Sequence, residues 1–168
     1  MKKLQTRRDR IRYVCQAGII AALYTAITFL CNVAGLASGP IQLRASEALC
    51  ILPMFTPAAI PGLAVGCMIS NVIGGCLWQD VLFGTLATLI GAIGARLLRR
   101  LPYLSPLPTV VANTIIVPFV LAYAYHLEGG VPYFMLTVGI GEILSAYVLG
   151  ILLYLSLRRY RTRFWDTV

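Results

Sequence analysis

The stretch Ala45-Ser46-Glu47-Ala48-Leu49-Cys50-Ile51-Leu52-Pro53-Met54-Phe55 decides how this chain folds. It is apolar apart from Ser46 and Glu47, and Pro53 sits inside it. Crossing a hydrocarbon core of about 30 Å takes roughly 20 helical residues, so the stretch is about half a span. Counting it as a crossing gives six spans, and omitting it gives five. The choice fixes which chain ends share a side of the membrane.

Composition establishes the solvent. Hydrophobic residues make up 59% of the 168 residues and charged residues 12%, against roughly 45–50% and about 25% in soluble domains. A mean hydropathy of +0.82 agrees. There is too little charge to cover a water-exposed globule, so lipid is the solvent.

Outward from the short segment the other spans are readable. A charge-free run from Tyr13 to Leu36 precedes it. A basic leader before an apolar run also describes a signal peptide, but this run exceeds the roughly 7–15 residues of a signal core and further spans follow, so it is expected to be retained. Thr56-Pro57-Ala58-Ala59-Ile60-Pro61-Gly62 makes a tight connection, two prolines marking a helix end and a helix start. Then come spans over Gly62–Leu77, Val81–Leu98, Thr109–Tyr125 and Pro132–Leu157. They are separated by Trp78-Gln79-Asp80, by Pro102, Pro106 and Pro108, and by His126-Leu127-Glu128-Gly129-Gly130.

Charge placement selects six. Lys and Arg total 14 and Asp and Glu 6, a net +8. Thirteen of the basic residues fall in three clusters: Lys2, Lys3, Arg7, Arg8, Arg10 and Arg12; then Arg96, Arg99 and Arg100; then Arg158, Arg159, Arg161 and Arg163. The positive-inside rule puts such clusters in the cytoplasm. With four spans before the middle cluster and two after it, all three lie on one side; with five spans they do not. The prediction is an all-α, six-helix transmembrane bundle with both termini cytoplasmic. Residues 1–12 form a basic N-terminal segment, 13–157 the membrane domain and 158–168 a basic tail. The long apolar stretches between clusters exclude a nucleic-acid face, which needs basic and aromatic residues on one surface.

A few polar residues remain. Arg44 is the one basic residue outside the clusters, and Glu47, Asp80, Glu128 and Glu142 are the acids outside the tails. Arg44, Glu47, Asp80 and Glu128 fall at outer helix ends. Glu142 lies about ten residues into the last span, about 15 Å deep at 1.5 Å per residue, and an intramembrane carboxylate is a functional candidate by default. Asn71 lies in the outer half of its span. Together they describe a pocket open to the outside.

Structural readings stand beside the functional ones. Arg44 and Glu47, three apart, share a helix face and can pair with each other; a protonated Glu142 can bond a carbonyl; Asp80 is expected first of all to N-cap the fourth helix. Glu128 reads as a solvated turn residue, His126 as an interfacial turn residue and Asn113 as interhelical glue. The aromatics are mostly interfacial belts: Trp78, Tyr123, Tyr125, Tyr133 and Phe134 outside, Tyr13, Tyr103, Tyr160 and Trp165 inside. Trp78 stands above the belt as a surface on which a planar ligand can stack.

Enzyme chemistry has little to work with. The five cysteines, Cys15, Cys31, Cys50, Cys67 and Cys76, show no metal-site spacing and their odd number argues against a disulfide framework. No nucleotide loop, zinc pattern or nucleophile–base pair is present. No cofactor is expected. Ala17/Ala21 and Ala22/Ala26 form small-residue faces on the first helix, as Gly62/Gly66 do on the third, a pattern frequent by chance in apolar chains.

The stretch from Gln42-Leu43-Arg44-Ala45-Ser46-Glu47-Ala48-Leu49 through Pro53 and the Thr56–Gly62 turn, then Asp80-Val81-Leu82-Phe83-Gly84-Thr85-Leu86-Ala87-Thr88-Leu89, resembles the queuosine-precursor transporter (QueT) family. Its members are substrate-binding S components of energy-coupling-factor (ECF) importers. The resemblance implies six helices and an outward pocket closed by the loops after helices one, three and five. It also implies an Ala-x-x-x-Ala face, matched by Ala17 and Ala21, that docks onto a membrane coupling subunit carried on two cytoplasmic ATPases. The implied cargo is queuine or a prequeuosine base, a planar 7-deazaguanine. Gln42, Arg44, Glu47, Asn71, Trp78, Asp80 and Glu142 are then the candidate substrate-binding residues, with either Glu47 or Glu142 accepting from the ring and Asn71 or Gln42 supplying donor and acceptor. Alternatives are an S component for another vitamin-like molecule and a self-sufficient carrier with Glu142 as its proton-coupling acid, although no internal repeat of the kind such carriers often have is visible.

Overall fold

A computed structural model describes residues 7–36, 43–126 and 129–160. Helix α1 spans Arg7–Val33 and a 3-10 helix spans Ala45–Met54. Helices α2 (Ala59–Ile73), α3 (Trp78–Leu97) and α4 (Leu107–Tyr123) follow. The last helix, α5, covers Val131–Leu157; its middle, Ile143–Leu149, winds as a π-helix. A 3-10 turn, Arg158–Tyr160, closes the described chain.

Helix starts follow proline. Pro108 stands in the first turn of α4 and Pro132 in that of α5, where a missing N–H costs nothing. Along α1, Ile20, Ala21, Tyr24, Thr28 and Cys31 are buried at helical spacing, while Ile19, Leu23, Phe29 and Leu30 on the other faces are exposed as lipid-facing surface.

The six helical segments stand where the sequence places them, and three, α1, α3 and α5, are long and apolar enough to span a membrane. The decisive short segment differs from an ordinary span. Its ten residues form a 3-10 helix, which at 2.0 Å per residue reaches about 20 Å, where an α-helix of the same length reaches about 15 Å. Eight of the ten residues, Glu47 among them, are buried. It is the centre post of the bundle, a near-crossing enclosed by other helices.

Contacts fix the directions. Gly62 and Gly66 of α2 face Ala17 and Ala21 of α1 in the same order, so α1 and α2 run parallel; an added Cβ would stand 2.7 Å from Ala17 O and 2.9 Å from Ala21 O. Ala17 and Ala21 are therefore spent on packing within the chain instead of being presented to a partner. The exposed small-residue face of α1 is Gly18, Ala22 and Ala26.

One end of the bundle collects Arg7, Arg8, Arg10, Arg12, Arg96, Arg99, Arg100, Arg158 and Arg159. Tyr13 Oη donates to Pro57 O (3.4 Å), Thr56 Oγ1 to Gln16 Oε1 (3.0 Å) and Ser105 Oγ to Ala95 O (3.1 Å). Tyr154 packs on Phe55 and Tyr103 with ring centroids 6.0 and 6.3 Å apart. Arg96 Nη1 donates to Pro53 O (3.1 Å) and Met54 O (3.4 Å), capping carbonyls that the end of the 3-10 helix leaves free. The charge rule makes this the cytoplasmic end.

Candidate functional site

The outer half of the bundle buries its charge around the start of the 3-10 helix. Leu43 N donates to Leu36 O (2.9 Å), pinning the base of the first loop and setting half-buried Arg44 at the mouth. Three residues on, Glu47 is 2% exposed. Its two carboxylate oxygens are taken: Tyr24 Oη donates to Oε1, and Cys50 Sγ donates to Oε2 at 3.1 Å. Beside them the Thr28 hydroxyl donates to Tyr24 O (2.9 Å) and bonds the Ser46 hydroxyl (2.7 Å).

Asp80 forms the second cluster. Tyr125 Oη donates to Asp80 Oδ2 (3.2 Å) and accepts from Leu77 N (3.1 Å). Asp80 does not cap α3: the helix begins at Trp78, with Leu77 in the cap position and no side-chain capping bond. The earlier start puts Asp80 a turn inside, facing the bundle. Burial, followed by the charge of Asp80, pushes Tyr125 up to about 12. Burial works against the Arg44 charge, but Asp80, with Glu47 adding, outweighs it and raises the guanidinium above its ordinary value. Arg44 thus feels the Asp80 charge more strongly than that of Glu47. Asn71 Nδ2 lies 3.7 Å from Cys67 Sγ and 3.5 Å from Asp80 O, donating to both.

Between these groups lies a cavity of about 20 Å³ lined by Arg44, Glu47, Thr88, Asn113 and Glu142, with Gly84, Val117 and Val138 as its smaller and apolar walls. The volume suits a single water. Glu142 reaches it from the last turn before the π-helix Ile143–Leu149. A π-turn carries an extra residue per turn and is frequent at functional sites; here Ser145 and Ala146 are buried within it.

Arg44, Glu47 and Glu142 meet on the cavity, and Asn71 and Asp80 stand next to it behind Gly84. Trp78 is not brought in. It is 68% exposed and lines an apolar groove of about 500 Å³ between α2 and α3 with Met68 and Val72. Helical geometry is the reason: residues two apart point about 200° from one another, so with Asp80 inward Trp78 faces outward. Gln42 and Glu128 lie outside the described residues.

Four participants escaped sequence reasoning: Tyr24, Cys50, Asn113 and Tyr125. Tyr24 and Thr28 are polar residues one turn apart on the face of α1 that also carries Ala17 and Ala21, a readable signal. Cys50 follows Glu47 by three, one 3-10 turn. By sequence Tyr125 and Phe134 belong to the aromatic belt, yet Tyr125 bonds Asp80 and Phe134 is buried. Among the described residues no group of three His, Cys, Asp or Glu side chains converges as a metal site.

A helical bundle with three long apolar helices and a polar cavity on the side opposite its basic end has the construction of a multi-pass membrane protein. A family model described as QueT transporter matches residues 14–159, and the chain belongs to that family. The curated Queuosine precursor transporter QueT of Lactococcus lactis subsp. cremoris (strain MG1363) is 40% identical over 84 residues. The match covers 50% of this chain and 49% of that relative, so it spans about half the relative's length. No solved structure matches.

Proposed function

We propose that this protein is the substrate-binding S component of an ECF-type importer, which captures a queuosine precursor, a 7-deazaguanine base, from the outer side. Uptake is then driven by a membrane coupling subunit and two cytoplasmic ATPases. The observation that carries the reading is the cavity bounded by Arg44, Glu47, Asn113 and Glu142 at the end away from the arginines, in a chain of the QueT transporter family. A bicyclic base needs far more than 20 Å³, so binding opens the bundle around α3, α4 and α5. Gly18, Ala22 and Ala26 are the α1 face offered to the coupling subunit: they are exposed, and nothing stands within 4 Å of a Cβ added at Gly18.

Calorimetry on the purified chain in nanodiscs tests the capture step. Binding of 7-deazaguanine bases without ATP is expected, and no binding would sink the reading. Co-purification with two ATPases and a coupling subunit tests the assembly. The buried Glu142 carboxyl favours a second reading, a proton-coupled carrier, which would move substrate into liposomes with no ATPase present.

A further inference from the structure

Two buried side chains on the cavity each leave one polar atom without a partner, and the two atoms are complementary. Asn113 of α4 is 4% exposed and its Nδ2 finds no acceptor; Glu142 of α5 is 8% exposed and its Oε2 finds no donor. Both line the cavity, and Asn113 faces the Glu142 carboxyl without Nδ2 or Oε2 completing a hydrogen bond of ordinary length. The neighbouring groups are committed elsewhere: Glu47 to Tyr24 and Cys50, Asp80 to Tyr125, Asn71 to Cys67 and Asp80 O. The unpartnered hydroxyls of Thr109 and Ser145 do not line this cavity. Buried polar groups in native proteins are almost always paired. An orphaned donor beside an orphaned acceptor is what a ligand-reading edge looks like before its ligand arrives.

We propose that Asn113 and Glu142 together read a cyclic amide: Asn113 Nδ2 donates to a ring carbonyl while Glu142 accepts from the adjacent ring N–H. The assignment rests on the reading of this chain as a binding subunit for a 7-deazaguanine, and it names the edge of the ring that is recognised. A guanine-type ring also places an exocyclic amine beside that N–H, a second donor for the same carboxylate. An adenine-type ring presents the reverse order, an amine donor next to a ring-nitrogen acceptor. It would set donor against donor and acceptor against acceptor, a mismatch that discriminates strongly when it is buried. Val117 and Val138 supply apolar walls for the ring faces.

The test uses the full chain in nanodiscs, with 7-deazaguanine and 7-deazaadenine as probes and guanine, xanthine and uracil as further cyclic amides. Wild type is expected to bind 7-deazaguanine and to reject 7-deazaadenine. Asn113→Leu and Glu142→Gln are each expected to weaken 7-deazaguanine binding about tenfold or more. The unfolding midpoint of each variant, read on the same sample, separates lost recognition from lost folding. The exchange Asn113→Asp with Glu142→Gln keeps one carboxylate and one amide but reverses their order, and is expected to turn the preference toward 7-deazaadenine. A 7-deazaguanine affinity within about twofold of wild type in both single variants, or an exchanged pair that keeps the wild-type preference, overturns the assignment. If wild type binds another cyclic amide in place of 7-deazaguanine and loses it in Asn113→Leu, the cargo reading fails and the pair stands. Binding of no cyclic amide overturns both.

Discussion

The two ends of the central 3-10 helix solve the same problem in opposite ways. At the inner end, Pro53 and Met54 leave carbonyls free and Arg96 takes both, while Tyr13, Gln16 and Ser105 close the surrounding turns and connections. At the outer end, Glu47 is held by Tyr24 and Cys50, but the cavity beside it keeps Asn113 Nδ2 and Glu142 Oε2 without partners. At the 3-10 helix itself, the inner end has its carbonyls taken by the chain, while the outer end adjoins a cavity with an open donor and an open acceptor. That asymmetry is what distinguishes the proposed binding end from the structural one.

Glu47 holds both kinds of role at once, so Glu47→Ala should have the largest effect. It strands the buried Tyr24 hydroxyl and opens a void, costing about 2–4 kcal/mol in the unfolding free energy together with ligand binding. Loss of binding at wild-type stability would break the distinction between the two carboxylates. Glu142→Gln is the counterpart: a tenfold or greater loss of affinity at unchanged stability, read by calorimetry and a thermal melt on the same sample. A clear fall in the melting midpoint would place Glu142 among the structural groups.

Arg96→Ala probes the finished end. Interhelical hydrogen bonds in membranes are worth about 0.6 kcal/mol on average, so a loss of about 1 kcal/mol with unaltered affinity is expected from its two bonds. A tenfold change in binding would show that the inner end also governs the cavity. The Tyr125–Asp80 contact gives a pH signature. Because the folded-state pKa of Tyr125 is raised to about 12, its contribution to stability is complete below the ordinary tyrosine value of about 10 and is lost as pH rises through 12. A difference titration of wild type against Tyr125→Phe should show the phenolate forming near pH 12, and a transition near 10 would contradict the burial of Tyr125 beside Asp80. Trp78→Ala should do least: with its ring in the α2–α3 groove, affinity should change by less than about twofold, within the range of a surface substitution.

Much of the fold was legible from residues alone. The six segments, their alternating directions and the gathering of arginines at one end follow from hydropathy and charge, and the structure places all of them. The short segment counts as a crossing by charge placement, and its 3-10 winding is what carries ten residues to about 20 Å. The site was legible in part. Arg44, Glu47 and Glu142 stand out as charges with no reason to be in lipid, and they meet. Asn113 reads as interhelical glue because an amide in a span usually finds a partner, and that its Nδ2 completes no bond is visible only across α4 and α5. Asp80 looked like a cap because the start of α3 was placed a few residues late, and the same shift turned Trp78 away from the cavity. Ala17 and Ala21 carried the right pattern of small residues but were committed to Gly62 and Gly66.

The sequence by itself determined that this protein lives in lipid, how many segments it folds into, and which end carries the positive charge. Those properties are sums over neighbouring residues, and neighbours in the chain suffice to evaluate them. Only the tertiary structure decided which polar groups are satisfied and which are left open. Pairing depends on the rotation and depth of each helix against the others, and an error of one residue turns a side chain by about 100°. Glu47 and Glu142 look alike in the chain; they differ because Tyr24 reaches one of them and no donor reaches Oε2 of the other.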